Sequence, residues 1–87
     1  MMTTKETVLE ILATVLLSEN DNLEPEALLE EDLGADSLDR IEIAMAIEEQ
    51  LLDDDEIDGE IVEGWKTVAD VIASAEKMVA KLPAATR

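Results

Sequence analysis

The chain has 87 residues, the size of one small domain. It carries 23 acidic residues against 6 basic ones, a formal charge of −17, which argues against nucleic acid or anionic lipid as a direct partner because both need clustered Lys and Arg. With no Cys and no His there is no disulfide, no zinc site of Cys or His type and no Ser-His or Cys-His pair, so self-contained nucleophilic catalysis is largely closed.

The first helix is predicted over residues 4–17. Thr3 and Glu6 have capping-box spacing, and Val8, Ile11, Leu12 and Val15 recur as one buried face. Residues 18–22 are turn formers and break it. Residues 19–36 form a long connection, and such loops are usually functional or hold hidden structure. One short turn of helix is expected there, with Pro25 at its first position and Leu28 and Leu29 inward. Gly34 then permits a conformation that other residues resist.

The second helix is predicted over residues 37–52. Asp36 is its N-cap, and Asp39 adds negative charge where the helix dipole favours it. At 100° per residue its apolar side chains sort into two stripes. Ile43, Ala44, Ile47 and Leu51 make the core stripe. Leu38, Ile41, Met45 and Leu52 form a second stripe centred roughly 140° away, flanked by Glu42, Glu48 and Glu49. One helix in so small a domain does not readily bury both, so the second stripe is expected to be at least partly exposed, a surface for a basic partner with an apolar centre. The plainer alternative puts Ile41 in the core and leaves Leu38 and Met45 as scattered surface residues.

Residues 53–60 form an acidic loop, and a short third helix is expected around 59–63, ended by Gly64. The last helix is predicted over 68–82, capped by Thr67 with Asp70 three residues on. Val68, Val71, Ile72, Ala75, Val79 and Leu82 supply its buried face. The expectation is an all-α, four-helix bundle over residues 1–82, with a long first loop, a short third helix and a flexible tail at 83–87. Leu, Ile and Val make up 25 of the 87 residues and Trp65 is the only aromatic, so the core is aliphatic and easily rearranged. No apolar run reaches the length of a membrane span, and the first residues lack a signal-peptide layout, so a cytoplasmic protein is expected.

Two motifs compete for a function. Asp54, Glu56 and Asp58, followed by Gly59 and Ile61, resemble the front half of an EF-hand loop. That site needs a bidentate Glu at its twelfth position, where this chain has Trp65, so no specific metal site is expected. Weak, nonspecific divalent binding by the carboxylates remains an expectation.

The second motif is Glu31-Asp-Leu-Gly-Ala-Asp-Ser-Leu-Asp39, followed by Ile41-Glu-Ile-Ala-Met-Ala-Ile-Glu-Glu49. It closely resembles acyl carrier proteins, and the resemblance extends from about Val8 to Val79. In that family the Ser after the Asp carries a 4′-phosphopantetheine arm taken from coenzyme A. The resemblance therefore implies attachment at Ser37, with Asp36 beside it, by a separate phosphopantetheinyl transferase. It implies no catalytic residue in the chain. A loop-to-helix junction suits this role: the hydroxyl is accessible and a phosphodiester would lie near free backbone N–H groups. The alternative is that Ser37 merely helps to cap the helix.

Carried over by position, the resemblance assigns Leu38, Asp39, Ile41, Glu42, Met45, Glu48 and Glu49, with Asp36, to a partner-facing surface. It assigns Leu29, Ile43, Ile47, Leu51 and Ile57 to the core or an acyl pocket. Partners would be acyltransferases, condensing enzymes and other acyl-modifying enzymes with basic patches, and the carrier itself a monomer. Three features depart from the usual pattern: Arg40 in the first turn of the second helix, Trp65 in place of an aliphatic residue, and a stretch 51–57 about two residues long of the common spacing. Arg40 is expected to lie on the partner-facing helix, with its stem over a pocket mouth and its guanidinium reaching Glu30, Glu31 or Asp36. These departures point to a specialised carrier. The implied function is to present acyl thioesters to fatty-acid or related lipid biosynthesis. The alternatives are a polyketide or aminoacyl load, or an unmodified calcium-binding or structural module.

Overall fold

The computed structural model describes residues 3–17, 23–52 and 55–81. Four helices follow in order: α1 (Thr4–Leu16), α2 (Ser37–Leu51), α3 (Gly59–Gly64) and α4 (Val68–Ala80). The described residues contain no strand, only an isolated bridge between Leu28 and Thr67. The all-α bundle is as expected.

Three of the helices begin with a reciprocal capping box. Thr3 and Glu6 close the start of α1, and Thr67 and Asp70 that of α4. At α2 the Asp39 N–H donates to Asp36 Oδ1 at 2.8 Å, and the Asp36 N–H donates to Asp39 Oδ2 at 3.1 Å. Asp39 is thus a capping partner as well as a charge in the first turn. α1 ends one residue earlier than predicted, because Leu17 takes a left-handed conformation with φ 52° and its N–H donates to the Ala13 carbonyl. α4 ends at Ala80 with Lys81 as its cap, short of the predicted end at Leu82. The predicted breaker 18–22, Leu82 itself and the tail 83–87 lie outside the described residues.

α1 packs against both α2 and α4, and α3 lies against α2. Val8, Ile11 and Leu12 from α1 meet Ile43, Ala44 and Ile47 from α2 and Val68, Val71, Ile72 and Ala75 from α4 in a single core. Trp65 joins them, buried, with its indole N–H donating to Ser74 Oγ at 3.0 Å. Leu52 corrects its assignment to the second stripe. It is 2% exposed and belongs to the core, because it caps α2 with φ −116° and ψ 14° and so no longer follows the helical wheel.

The loop before α2 holds no helix among its described residues, contrary to the short helical turn predicted at Pro25. It forms turns, and its carbonyls serve another element. The Val68 and Ala69 N–H groups at the start of α4 have no partner within their own helix. They donate instead to the Ala27 and Pro25 carbonyls, at 3.1 and 2.9 Å, while the Leu29 N–H donates to Lys66 O at 2.8 Å. Leu29 is buried and Leu28 half-buried, as expected. Gly34 has φ 71°, the left-handed conformation its position required. The loop is thereby anchored on α4, and it delivers Asp36 and Ser37 to the end of α2.

Candidate functional site: the start of α2 and the cleft beside α3

Ser37 is the first residue of α2 and is exposed. Among the described residues its hydroxyl has no hydrogen-bond partner, nor have the backbone N–H groups of Ser37 and Leu38. The N-cap role falls to Asp36, which leaves the Ser37 hydroxyl unused by the fold. The capping alternative for Ser37 is therefore not what the side chain does.

Two carboxylates, Asp36 and Asp39, stand on either side of this serine. A free phosphate would meet their charge as well as the helix N–H groups, so the junction is poorly suited to hold one by electrostatics alone. A phosphodiester bonded covalently to Oγ would be held regardless, and the unpartnered N–H groups would face its oxygens. The site fits a covalently attached phosphate arm better than a diffusible one.

Leu38, Ile41 and Met45 are 62%, 51% and 56% exposed. The reading that placed Ile41 in the core is excluded, and the second stripe forms an apolar strip on the outside of α2. Glu42 and Glu49 are exposed along it, while Asp39 is half-buried at its head. Glu48 is turned to a different use. It is half-buried, and its Oε2 accepts the Ile57 N–H at 2.8 Å, tying α2 to the segment that leads into α3.

A cleft of about 370 Å³ opens between α2 and α3 directly beside Ser37. Ile41, Ala44, Met45, Ile57 and Val62 give it apolar walls, and Arg40, Glu48 and Glu63 give it polar ones. Of the five residues assigned to core or pocket, Ile57 lines this cleft. Leu29, Ile43 and Ile47 are fully buried in the core, and Leu51 is half-buried against it. Ala44, expected in the core stripe, is buried and also reaches the cleft wall. Gly59, Val62 and Glu63 carry a weak sequence signal, since α3 is too short to show a periodic face.

Arg40 is 15% exposed at its side chain and reaches across to α3. Its Nη1 donates to the Val62 carbonyl at 3.1 Å and also to the Trp65 carbonyl. Its Nη2 lies 3.9 Å from Glu30, one of the three acids expected. The two carbonyls were not anticipated, because backbone acceptors leave no mark in a charge pattern. Among the described residues no group of acids is placed to hold a metal ion, and Asp54, the first position of the calcium-like loop, lies outside them.

A family profile described as the phosphopantetheine attachment site matches residues 6–74. The acyl carrier protein of Clostridium perfringens is 48% identical over 63 residues, which are 72% of this chain and 80% of the relative. That of Akkermansia muciniphila is 43% identical over 74 residues, 85% of this chain and 90% of the relative. This chain belongs to the acyl carrier protein family. It is a non-catalytic carrier of acyl groups, and its cofactor is covalently bound 4′-phosphopantetheine. As an acyl carrier protein it works with a phosphopantetheinyl transferase and with enzymes that act on acyl chains. No helix among the described residues is long and apolar enough to cross a membrane.

Proposed function

We propose that Ser37 is the attachment residue and that the chain presents acyl thioesters to cytoplasmic enzymes of fatty-acid or related lipid biosynthesis. The observation that carries this reading is the exposed, unpartnered Ser37 hydroxyl at the head of α2, with an apolar-walled cleft beginning at the same residue. Ser74 is a poorer acceptor, since its hydroxyl accepts the Trp65 indole N–H inside the bundle.

No His or Lys stands beside Ser37, and the carboxylates of Asp36 and Asp39 are engaged in the capping box, so the transferase supplies the base that takes the hydroxyl proton. Oγ then bonds to the phosphorus that bears the pantetheine, the pyrophosphate bond of coenzyme A breaks, and its nucleotide half leaves. Asp36 holds the serine at the helix start and does not enter the chemistry. Once loaded, the arm ends in a thiol that carries the acyl group as a thioester, and the cleft shelters the acyl chain from water. The strip of Leu38, Ile41 and Met45, rimmed by Asp36, Asp39, Glu42 and Glu49, supports docking of enzymes with basic patches around an apolar centre.

Intact mass tests this. The protein is incubated with coenzyme A, magnesium and a broad-specificity transferase. One phosphopantetheine is expected to add, and none to Ser37→Ala. Unchanged mass, or addition that survives Ser37→Ala, overturns the assignment. Addition of acyl groups other than lipid precursors by the cognate enzymes would keep Ser37 but reassign the load.

A further inference from the structure

We infer that Arg40 sets the length of the acyl chain that the α2–α3 cleft shelters, an inference that rests on the reading of Ser37 and the cleft given above. Arg40 forms part of the wall of two separate hollows. One is the cleft of about 370 Å³ beside Ser37. The other, of about 180 Å³, is bounded by Arg40 with Leu28, Glu30, Glu31 and Lys66, so its walls are mostly charged. The arginine is the residue common to both, so its side chain is the partition between them.

The partition is held from three directions. Its stem rises from α2. Nη1 donates to the carbonyls of Val62 and Trp65 at the end of α3, and Nη2 faces Glu30 in the loop before α2. Carbonyls at a helix end lack partners further along the helix. The Val62 carbonyl also accepts the Trp65 N–H at 3.3 Å, so the guanidinium is its second donor, while the Trp65 carbonyl, one residue beyond α3, is held by Arg40. An alkyl chain entering from Ser37 would have to displace these bonds to reach the second hollow, leaving a charge and the Trp65 carbonyl against hydrocarbon. The shelter therefore ends at Arg40. Shortening that side chain is expected to open the cleft toward the second hollow, which is about half its size.

The test loads the phosphopantetheinylated protein with saturated acyl groups of increasing length and follows thioester lifetime in hydroxylamine. In the parent, lifetime is expected to rise with length and level off when the cleft is full. In Arg40→Ala the levelling point should move to a chain about half as long again. Arg40→Met keeps the stem without the hydrogen bonds. It should shift the levelling point in the same direction, and it keeps the test decisive if the alanine protein does not fold. A merely structural role would shorten lifetimes at every length and leave the levelling point where it was. That result, or a parent lifetime that does not depend on chain length, overturns the inference while Ser37 stands. Failure of phosphopantetheine to add at Ser37 is seen by mass before any lifetime is measured, and it removes both readings together.

Discussion

Glu48 accepts a 2.8 Å hydrogen bond from the backbone N–H of Ile57, and so joins the last turn of α2 to the segment that opens α3. Ile57 is buried, so its amide needs this partner. Glu48→Ala is expected to lower unfolding stability by about 1.5–3 kcal/mol, the range for a bond to a charged acceptor. Glu48→Gln removes the same charge but keeps an oxygen in place, and it should recover most of the loss. Urea unfolding at fixed ionic strength compares them. Equal stability of the two variants would show that charge relief, and not the bond, governs the position.

The indole of Trp65 and the hydroxyl of Ser74 form a second pair that a cycle of variants separates. Ser74→Ala leaves a buried N–H unpaired, a cost of about 1–3 kcal/mol. In a Trp65→Phe background there is no N–H to strand, and the same substitution should cost close to nothing. Thermal unfolding followed by circular dichroism gives the coupling, and additive losses would mean the bond contributes nothing.

Acid should act on the protein through its helix caps. Asp70 Oδ2 accepts the Lys66 and Thr67 N–H groups at 3.0 and 3.1 Å, and these bonds hold its carboxyl below the ordinary 3.8. A depressed native value means stability that is complete above the unfolded value and lost as pH falls through the native one. Asp70→Ala is expected to cost about 0.5–1 kcal/mol at neutral pH. The gap between parent and variant should close as pH drops below 3.8. A gap that is constant with pH would show that the charge on Asp70 is irrelevant. Glu6 is held low by the Thr3 backbone N–H in the same way at α1.

Two described residues have positive φ, Leu17 at 52° and Gly34 at 71°, and they should respond in opposite senses. A side chain at Gly34 would meet open space, so Gly34→Ala costs only the conformational strain, about 1 kcal/mol. Leu17 is 92% exposed and bears that strain already. Leu17→Gly relieves it and gives up flexibility in return, a net gain of about 0.5 kcal/mol. Chemical unfolding resolves both signs, and a loss at Leu17 would place a useful contact on that side chain.

Where signals are local, the sequence itself places the elements. Thr3, Asp36 and Thr67 each announce a helix start, and the sense of Gly34 follows from its place before a cap. What escaped depended on partners distant in sequence. The turn at Pro25 is not helical because its carbonyl is engaged by Ala69, more than forty positions on. Leu52 was misplaced by extending a wheel past the residue where the helix stops. Periodicity sorted α2 into two stripes but could not say which was covered. Packing decides that, since α1 and α4 both contact α2 while Leu38, Ile41 and Met45 stay exposed. The junction at Ser37 was legible from its motif, whereas the cleft walls on α3 belong to a helix of six residues, too short to display a face.

Trp65 is the only aromatic residue in the chain, and its main-chain oxygen is one of the two that Arg40 grips. Near-ultraviolet emission from this protein therefore originates at a single buried ring, one residue beyond α3 and hydrogen-bonded to α4. Whatever parts α3 from α2 must disturb the surroundings of that ring. The molecule thus carries an intrinsic optical probe, requiring no label, at the joint where α3 runs into α4.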